Sequence, residues 1–557
     1  RPRGPLHGGP ARTGVGARGS VSRTPGGASG GAEPQPSRAA MSSYAVVAAL
    51  AAVAAIAAPE PPAQVPAPVP NCFVPLDEPL LSLPFNDSEV AAMRRYFKAN
   101  LNVRGTGAVV ASPGECPALL ACCSTCTGGY AYDWTRDGAI SIAALQKVGR
   151  SALATLGDSD HVTSGYVRET VQAYARWVGR RRGHNKAGTE DVYLEPKWNI
   201  TTGQPYGGGW CRPQTDGPGL RAMALMQYAR HQWSSFESRL RAMMAPNDGW
   251  SVDRSHLNWL WSIIRKDLDW IAQQGYNRST CDLWEETMDG DLLWNRMTMR
   301  AALLHGQRFA RDVQDLERAE LYGHAAEVRL GDPLAGHTDR EGFLTECATT
   351  GGGLGCRLKR KQIDGSVILS LIHDGRPIDP MVQAITAPPA ARHTSVAVAR
   401  TVLRYNEAFC EAYPINRKDT ADGVPGVLYG RYSKDMYGKG NPWVLITASL
   451  ATLLYRAAHA VQEGHSLSPE EVRMWRLALN HRSFSGLGRD FIAAGDAVLL
   501  RIAHHVRLDG GHLYEQIDKN SGRQYNARDL TWSYAEVLVA LVERGEALDG
   551  MGTPTLV

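Results

Sequence analysis

Six times along this 557-residue chain a polar, turn-rich motif runs directly into an apolar segment with helical spacing. Asp137 leads into 138–145, Asp216 into 219–228, and Glu285-Glu286 toward 296–309. Asp364 leads into 366–371, Asn441-Pro442-Trp443 into 444–455, and Asp529 into 530–541. The starts lie roughly 70 to 90 residues apart, the span of a helical pair with its loops. Further amphipathic segments fall between them. In 256–274, Leu257, Leu260, Trp261, Ile264, Leu268 and Ile271 share one face, and 166–178 reads the same way. The segment 88–101 reads as another helix, with Asp87 as its expected cap. Strand alternation is scarce. The pattern predicts an all-α fold, an (α/α)6 barrel in which six inner helices alternate with six outer ones. In such a toroid the loops entering the inner helices gather on one face, so polar residues distant in sequence converge there. Capping alone accounts for an Asp or Asn at a helix start, but not for the Trp and Arg beside several of these.

The N-terminal part has a different composition. Residues 1–40 are Gly, Pro, Arg, Ser and Ala without a hydrophobic period, a disordered composition. They read as upstream sequence translated ahead of Met41. From Met41 an Ala/Val/Ile run ends in Ala55-Ile56-Ala57, as a signal peptide over 41–58 would, although the usual positive charge is missing. A Pro-rich linker is expected over 59–84 and the (α/α)6 body over 85–557. No later stretch reads as apolar enough to cross a bilayer, and no further module is expected after the last motif. These features predict a secreted protein. Ten cysteines fit that route as disulfides. Cys116, Cys122, Cys123 and Cys126 crowd one loop that lacks His, and Cys347 and Cys356 bracket a Gly-rich loop and could pair locally. Asn86, Asn199 and Asn277 each head an N-x-S/T sequon.

The formal net charge of +4 is carried in part by Arg1, Arg3, Arg12, Arg18, Arg23 and Arg38, so the remainder does not suggest a nucleic-acid binder. Aromatic usage is more informative. Fourteen Trp and twenty Tyr against nine Phe favour rings with a polar edge, which can stack on a sugar face and hydrogen-bond its hydroxyls.

Cleaving a glycosidic bond needs a proton for the leaving oxygen and a base for water, which two carboxylates can supply. Two acidic regions are candidates, although spacing alone does not select them from the fifty-six acids. In Asp282-Leu283-Trp284-Glu285-Glu286, adjacent acids and an aromatic wall are expected to favour a protonated carboxyl. Glu515-Gln516 and Asp518 precede Ala527-Arg528-Asp529-Leu530-Thr531-Trp532-Ser533-Tyr534.

Five segments, in order, resemble the catalytic domain of fungal-type glucoamylases, glycoside hydrolase family 15. They are Tyr132-Asp133-Trp134-Thr135-Arg136-Asp137, Trp210 through Pro218, Asp282 through Glu286, Gly430-Arg431-Tyr432 through Trp443, and Glu515-Gln516 through Tyr534. The resemblance covers roughly residues 85–545 and implies an inverting exo-hydrolase that releases β-glucose from non-reducing ends of α-glucans, without cofactor or metal. It implies that Glu285 is the general acid and Glu515 the general base. Gln516 and Tyr130 would hold the attacking water, while Arg136, Asp137 and Arg431 would grip the terminal glucose. The backbone at Leu283 and Trp284 would line the same subsite. Trp134, Trp210, Tyr437, Trp443 and Trp532 would form aromatic walls, and Glu286 would bind the next sugar. Arg212, Asp216 and Asp435 complete the implied substrate-binding set. A monomer with no membrane or nucleic-acid partner is expected.

The sequence departs from the family pattern at Thr280, Asp289 and Lys434, at Thr201-Thr202, and in the Cys116–Cys126 loop. These departures leave room for isomaltose- or trehalose-type linkages. A non-catalytic carbohydrate binder would be expected to lose a catalytic Glu, and both are present. A zinc enzyme would need converging His and Cys ligands, which His504-His505 with scattered cysteines does not supply.

Overall fold

The computed structural model describes residues 70–114, 129–157, 160–181, 194–243, 254–349, 356, 363–375 and 392–551. The expected signal peptide, the segment before it, residues 59–69 of the expected linker and the Cys116–Cys126 loop lie outside them.

Among the described residues fourteen α-helices follow in order: α1 (Asp87–Ala99), α2 (Thr135–Val148), α3 (Ser164–Arg181), α4 (Asp216–Met243), α5 (Arg254–Gln273), α6 (Leu293–Asp312) and α7 (Leu316–His324). The second half supplies α8 (Ser366–Ile372), α9 (Val396–Ala412), α10 (Pro414–Ala421), α11 (Val444–Gln462), α12 (Pro469–Ala478), α13 (Gly488–Val506) and α14 (Thr531–Asp549). Helix α2 packs on α4, α4 on α6, α6 on α8, α8 on α11, α11 on α14, and α14 returns to α2. That closed ring is the inner layer of the (α/α)6 barrel. Outside it, α3 and α5 pack on α4, α7 on α6, α13 on α11 and α14, and α1 on α14.

The six inner helices are those whose starts recur in the sequence, but the acids do not cap them as expected. Asp137 lies within the first turn of α2, whose N-cap is Trp134, and Asp529 precedes Leu530, the N-cap of α14. Asp364 does accept from the Ser366 backbone N–H at the start of α8, at 2.9 Å. The expected cap of α1 is also displaced by one residue. Asn86, not Asp87, closes a capping box with Glu89, each side chain accepting from the other's backbone N–H.

The ring buries its helices nearly all round, which explains one departure from the sequence reading. Helix α11 is long and apolar enough to cross a membrane, yet 83% of its apolar window is buried in the barrel. A helix apolar on every side is what the wall of a large core requires.

Three short antiparallel ladders hang on the mouth where the inner helices begin: β1 (Tyr132–Trp134) with β2 (Lys197–Asn199), β3 (Thr280–Cys281) with β4 (Met288–Asp289), and β5 (Gln516–Ile517) with β6 (Gln524–Tyr525). Disulfides join Cys211 to Cys281, Cys347 to Cys356, and Cys72 to Cys410. The last of these corrects the linker boundary. Phe73 is fully buried and Val74 pairs with Gly426, so residues from 70 on pack with the barrel.

Candidate active site

The motifs that precede the inner helices meet at one mouth because their side chains bond across it. Arg136, in the first turn of α2, donates to Asp216 at the start of α4 at 2.5 Å and to Gln214 at 2.7 Å. Asp216 also accepts from the Trp294 indole in the first turn of α6. The Trp284 indole donates to Asp364 ahead of α8 at 2.6 Å, and Trp284 stacks obliquely on Trp443, the N-cap of α11. Thr531, the first residue of α14, donates from its backbone to Ala111.

Glu285 sits in this ring on a strained turn. Its φ of +63° is left-handed, a conformation that non-glycine residues seldom adopt and that recurs at functional sites. The Asp282 carboxylate accepts the backbone N–H groups of Glu286 and Thr287, and the Glu285 N–H donates to the Asp282 carbonyl, which fixes the turn. The Glu285 carboxylate accepts from the Trp134 indole at 3.1 Å and the Gln214 amide at 2.9 Å, with an Arg136 nitrogen 3.7 Å away. The neighbouring acids are engaged elsewhere. Glu286 accepts from Arg431 at 2.8 Å and from the Tyr432 hydroxyl at 2.6 Å. The aromatic donor to Glu285 is therefore Trp134, across the mouth, rather than the adjacent Trp284. Leu283 is buried beneath the turn.

Glu515 lies just before β5 and is only 2% exposed. Its carboxylate accepts from the Tyr130 hydroxyl at 2.7 Å, the Gln516 amide at 3.0 Å and the Asn526 amide at 2.5 Å. Its backbone is fixed too, because the Val444 N–H donates to the Glu515 carbonyl. Burial raises its pKa to about 7, against the opposing pull of Tyr130, Arg431, Asn526 and Gln516. Burial also pushes the Tyr130 hydroxyl upward, helped by Glu515 and by Tyr437, with which it shares a hydrogen bond. Gln516 is held in turn by Asn441 and packs under Gly438, where a Cβ would lie 2.3 Å from its side-chain oxygen. Gly438 has φ +55°, so it suits that close approach twice over.

Two arginines flank the pair. Burial opposes the charge on Arg136, but Asp216, Glu285 and Asp137 outweigh it and hold the guanidinium charged. Asp137 itself is pushed up to about 7 by burial, against Arg136, with Glu285 adding to the rise. Arg431 is bidentate on Asp435 and reaches Glu286, and these partners likewise keep it charged despite burial. Its guanidinium lies over the rings of Trp284, Tyr437 and Trp443.

Three residues implied as sugar contacts have other bonds. Arg212 is bidentate on Glu195 and donates to the Tyr206 carbonyl at 2.9 Å, which shapes the segment leading to Trp210. Asp216 supports Arg136 from behind. Trp532 donates to Glu536, one turn along α14, at 2.7 Å. Two groups the sequence reading passed over touch the carboxylates directly. Gln214 lies inside the Trp210–Pro218 motif, but an uncharged amide gave no signal of its own. Asn526 reaches Glu515 from β6's far end with φ +68°. Elsewhere, Asp419, His504 and His505 approach one another, as do His459, Glu543 and Glu546. Arg501 and Lys147 already ion-pair with their carboxylates.

A closed helical toroid with two carboxylates, two held arginines and an aromatic lining at one mouth defines a glycoside hydrolase. The family model described as glycosyl hydrolases family 15 matches residues 94–542. Glucoamylase-1 of Schizophyllum commune is 30% identical over 467 residues, covering 81% of this chain and 72% of that protein. The glucoamylase of Blastobotrys adeninivorans is 27% identical over 489 residues, covering 83% and 71%. Among solved structures, the family 15 glucoamylase from Hypocrea jecorina superposes with a TM-score of 0.64 at 24% identity, covering 82% of this chain and 72% of that one. The glucoamylase from Saccharomycopsis fibuligera gives 0.66 at 21% identity, covering 86% and 99%. These two share the fold. The chain belongs to glycosyl hydrolase family 15.

Proposed function

We propose that this glycosyl hydrolase is a glucan 1,4-α-glucosidase that works from non-reducing ends with inversion, Glu285 as general acid and Glu515 as general base. The observation that carries the assignment is the contrast between the two carboxylates across one mouth. Glu515 is sealed and accepts three hydrogen bonds, an environment that orients both oxygens for taking a proton from water. Glu285 is the more open of the two, with 16% of its side chain exposed, and can meet a glycosidic oxygen. Each carboxylate bonds a different aromatic side chain, Trp134 and Tyr130, whose ring centres are 6.0 Å apart. Inversion, which needs a water between acid and base, rests on the family resemblance of the five motifs.

Arg136, Asp137 and Arg431 supply charge-assisted bonds suited to the vicinal hydroxyls of a terminal glucose, and their grouping at the mouth supports exo action. The named glucoamylase relatives support starch-type α-1,4 glucans, with α-1,6 bonds cleaved more slowly, as the substrate class. Secretion fits the three disulfides and the apolar run over 41–58.

The test is the anomer first released from maltose, followed by polarimetry before mutarotation. β-Glucose is expected. Initial α-glucose, or undiminished activity of Glu515→Gln, would overturn the assignment.

A further inference from the structure

Lys197 stands beside the proposed acid, outside the carboxylate chemistry and the sugar contacts proposed above. In the β1–β2 ladder Lys197 stands directly opposite Trp134, so the two side chains share a face. Its ammonium lies 4.3 Å from the ring centre of Trp134, 3.9 Å from Trp210, 4.4 Å from Tyr206 and 4.7 Å from Tyr132. The four rings also contact one another in a closed circuit: Tyr132 with Trp134, Trp134 with Trp210, Trp210 with Tyr206, and Tyr206 with Tyr132. The backbone builds the same cage, since the Tyr206 N–H donates to the Lys197 carbonyl at 2.8 Å. Lys197 is 1% exposed.

We propose that Lys197 is a positioning residue for Glu285, holding the Trp134 indole against the carboxylate and stabilising negative charge there through that ring. The proposal rests on the reading of Glu285 as the general acid. The geometry is a short relay. The ammonium sits over the Trp134 face, and the same indole donates its edge N–H to Glu285 at 3.1 Å. A cation over the face draws π density toward itself, which makes the N–H a stronger donor. The other charged groups facing Glu285 are Arg136 and Asp137 of α2, and the one facing Lys197 besides Glu285 is Arg212. Burial lowers the Lys197 pKa to about 8, against the pull of Glu285, so the cage holds a full charge only below that pH.

A general acid must be protonated to act, so the alkaline limb of kcat/KM on maltose reads its ionisation. Removing a nearby cation disfavours the carboxylate and moves that limb upward. In Lys197→Met the limb is expected to rise by ~0.5 pH unit or more, while Lys197→Arg, which keeps the charge, leaves it in place. A packing role alone would lower rates without moving the limb. An unmoved limb in folded K197M overturns the proposal. Should K197M fail to fold, Lys197→Gln, which is also neutral, takes its place: a raised limb supports the proposal and an unmoved one overturns it. Glu285→Gln is assayed alongside. Activity surviving in E285Q removes the general-acid reading itself, whereas an inactive E285Q with an unmoved K197M limb removes only the role of Lys197.

Discussion

Replacing Glu515 by glutamine separates its proposed catalytic role from its effect on stability, because burial makes this carboxyl costly to ionise. The ordinary carboxyl value of 4.5 rises to about 7 in the folded protein. Between those values the folded carboxyl keeps a proton that the unfolded chain releases, so the folded state binds more protons and its stability falls as pH rises. Above pH 7 the whole difference is lost, at most about 3 kcal/mol at 1.4 kcal/mol per pH unit. Glutamine keeps the shape and acceptor but cannot ionise. Glu515→Gln and the parent should therefore melt together near pH 4. At pH 8 the variant should be the more stable. With an unfolding entropy of about 1 kcal/mol per kelvin for a body of this size, the gain is about 1–3 °C in Tm. Differential scanning fluorimetry from pH 4 to 8 measures the gap, and comparing two variants cancels the parallel contribution of Asp137. The same variant should lose about 10³-fold in kcat. A Tm gap that does not change with pH would refute the burial argument.

The left-handed turn at Glu285 predicts that Glu285→Gly is more stable than Glu285→Ala by ~1 kcal/mol, since only glycine adopts that φ without strain; denaturant titration of both inactive variants checks it. The Cys211–Cys281 disulfide spans 70 residues and ties the Trp210 segment to the acid's turn, so Cys211→Ser with Cys281→Ser should cost about 4 kcal/mol by loop entropy. Its kcat should fall as well, as steady-state kinetics would reveal. Arg431→Met leaves Asp435 and Glu286 without their cation and should destabilise by about 3–5 kcal/mol. Arg431→Lys should fold but raise KM for maltose, because a single ammonium cannot reproduce the bidentate grip.

The repeat of helix starts was enough to read the toroid, since a helix that must bury an apolar face announces it every three or four residues. Glu285 and Glu515 were singled out through the family resemblance of the segments that hold them, since spacing alone does not separate them from the other acids. Beside Glu515, Tyr130 and Gln516 were implied in the same way and both donate to it; the setting of Glu285 was not legible. Sequence suggested Trp284 and the adjacent acids as the environment of Glu285, but Trp284 bonds Asp364 and Glu286 bonds Arg431. The donors are Trp134 and Gln214, 151 and 71 positions away. Arg212 and Asp216, implied as sugar ligands, bond other side chains in the structure, and nothing in the sequence signalled those bonds. Asn526 and the Lys197 cage carried no local signal, because an amide or a lysine in a loop or a short strand is usually solvated. Hydrophobic period and motif order are properties of neighbours along the chain, so the sequence by itself determined the helices and their order, and offered the two acids proposed above as candidates. Charge stabilisation, burial and donor choice act through space across a closed ring, and only the tertiary structure decided which side chains face them.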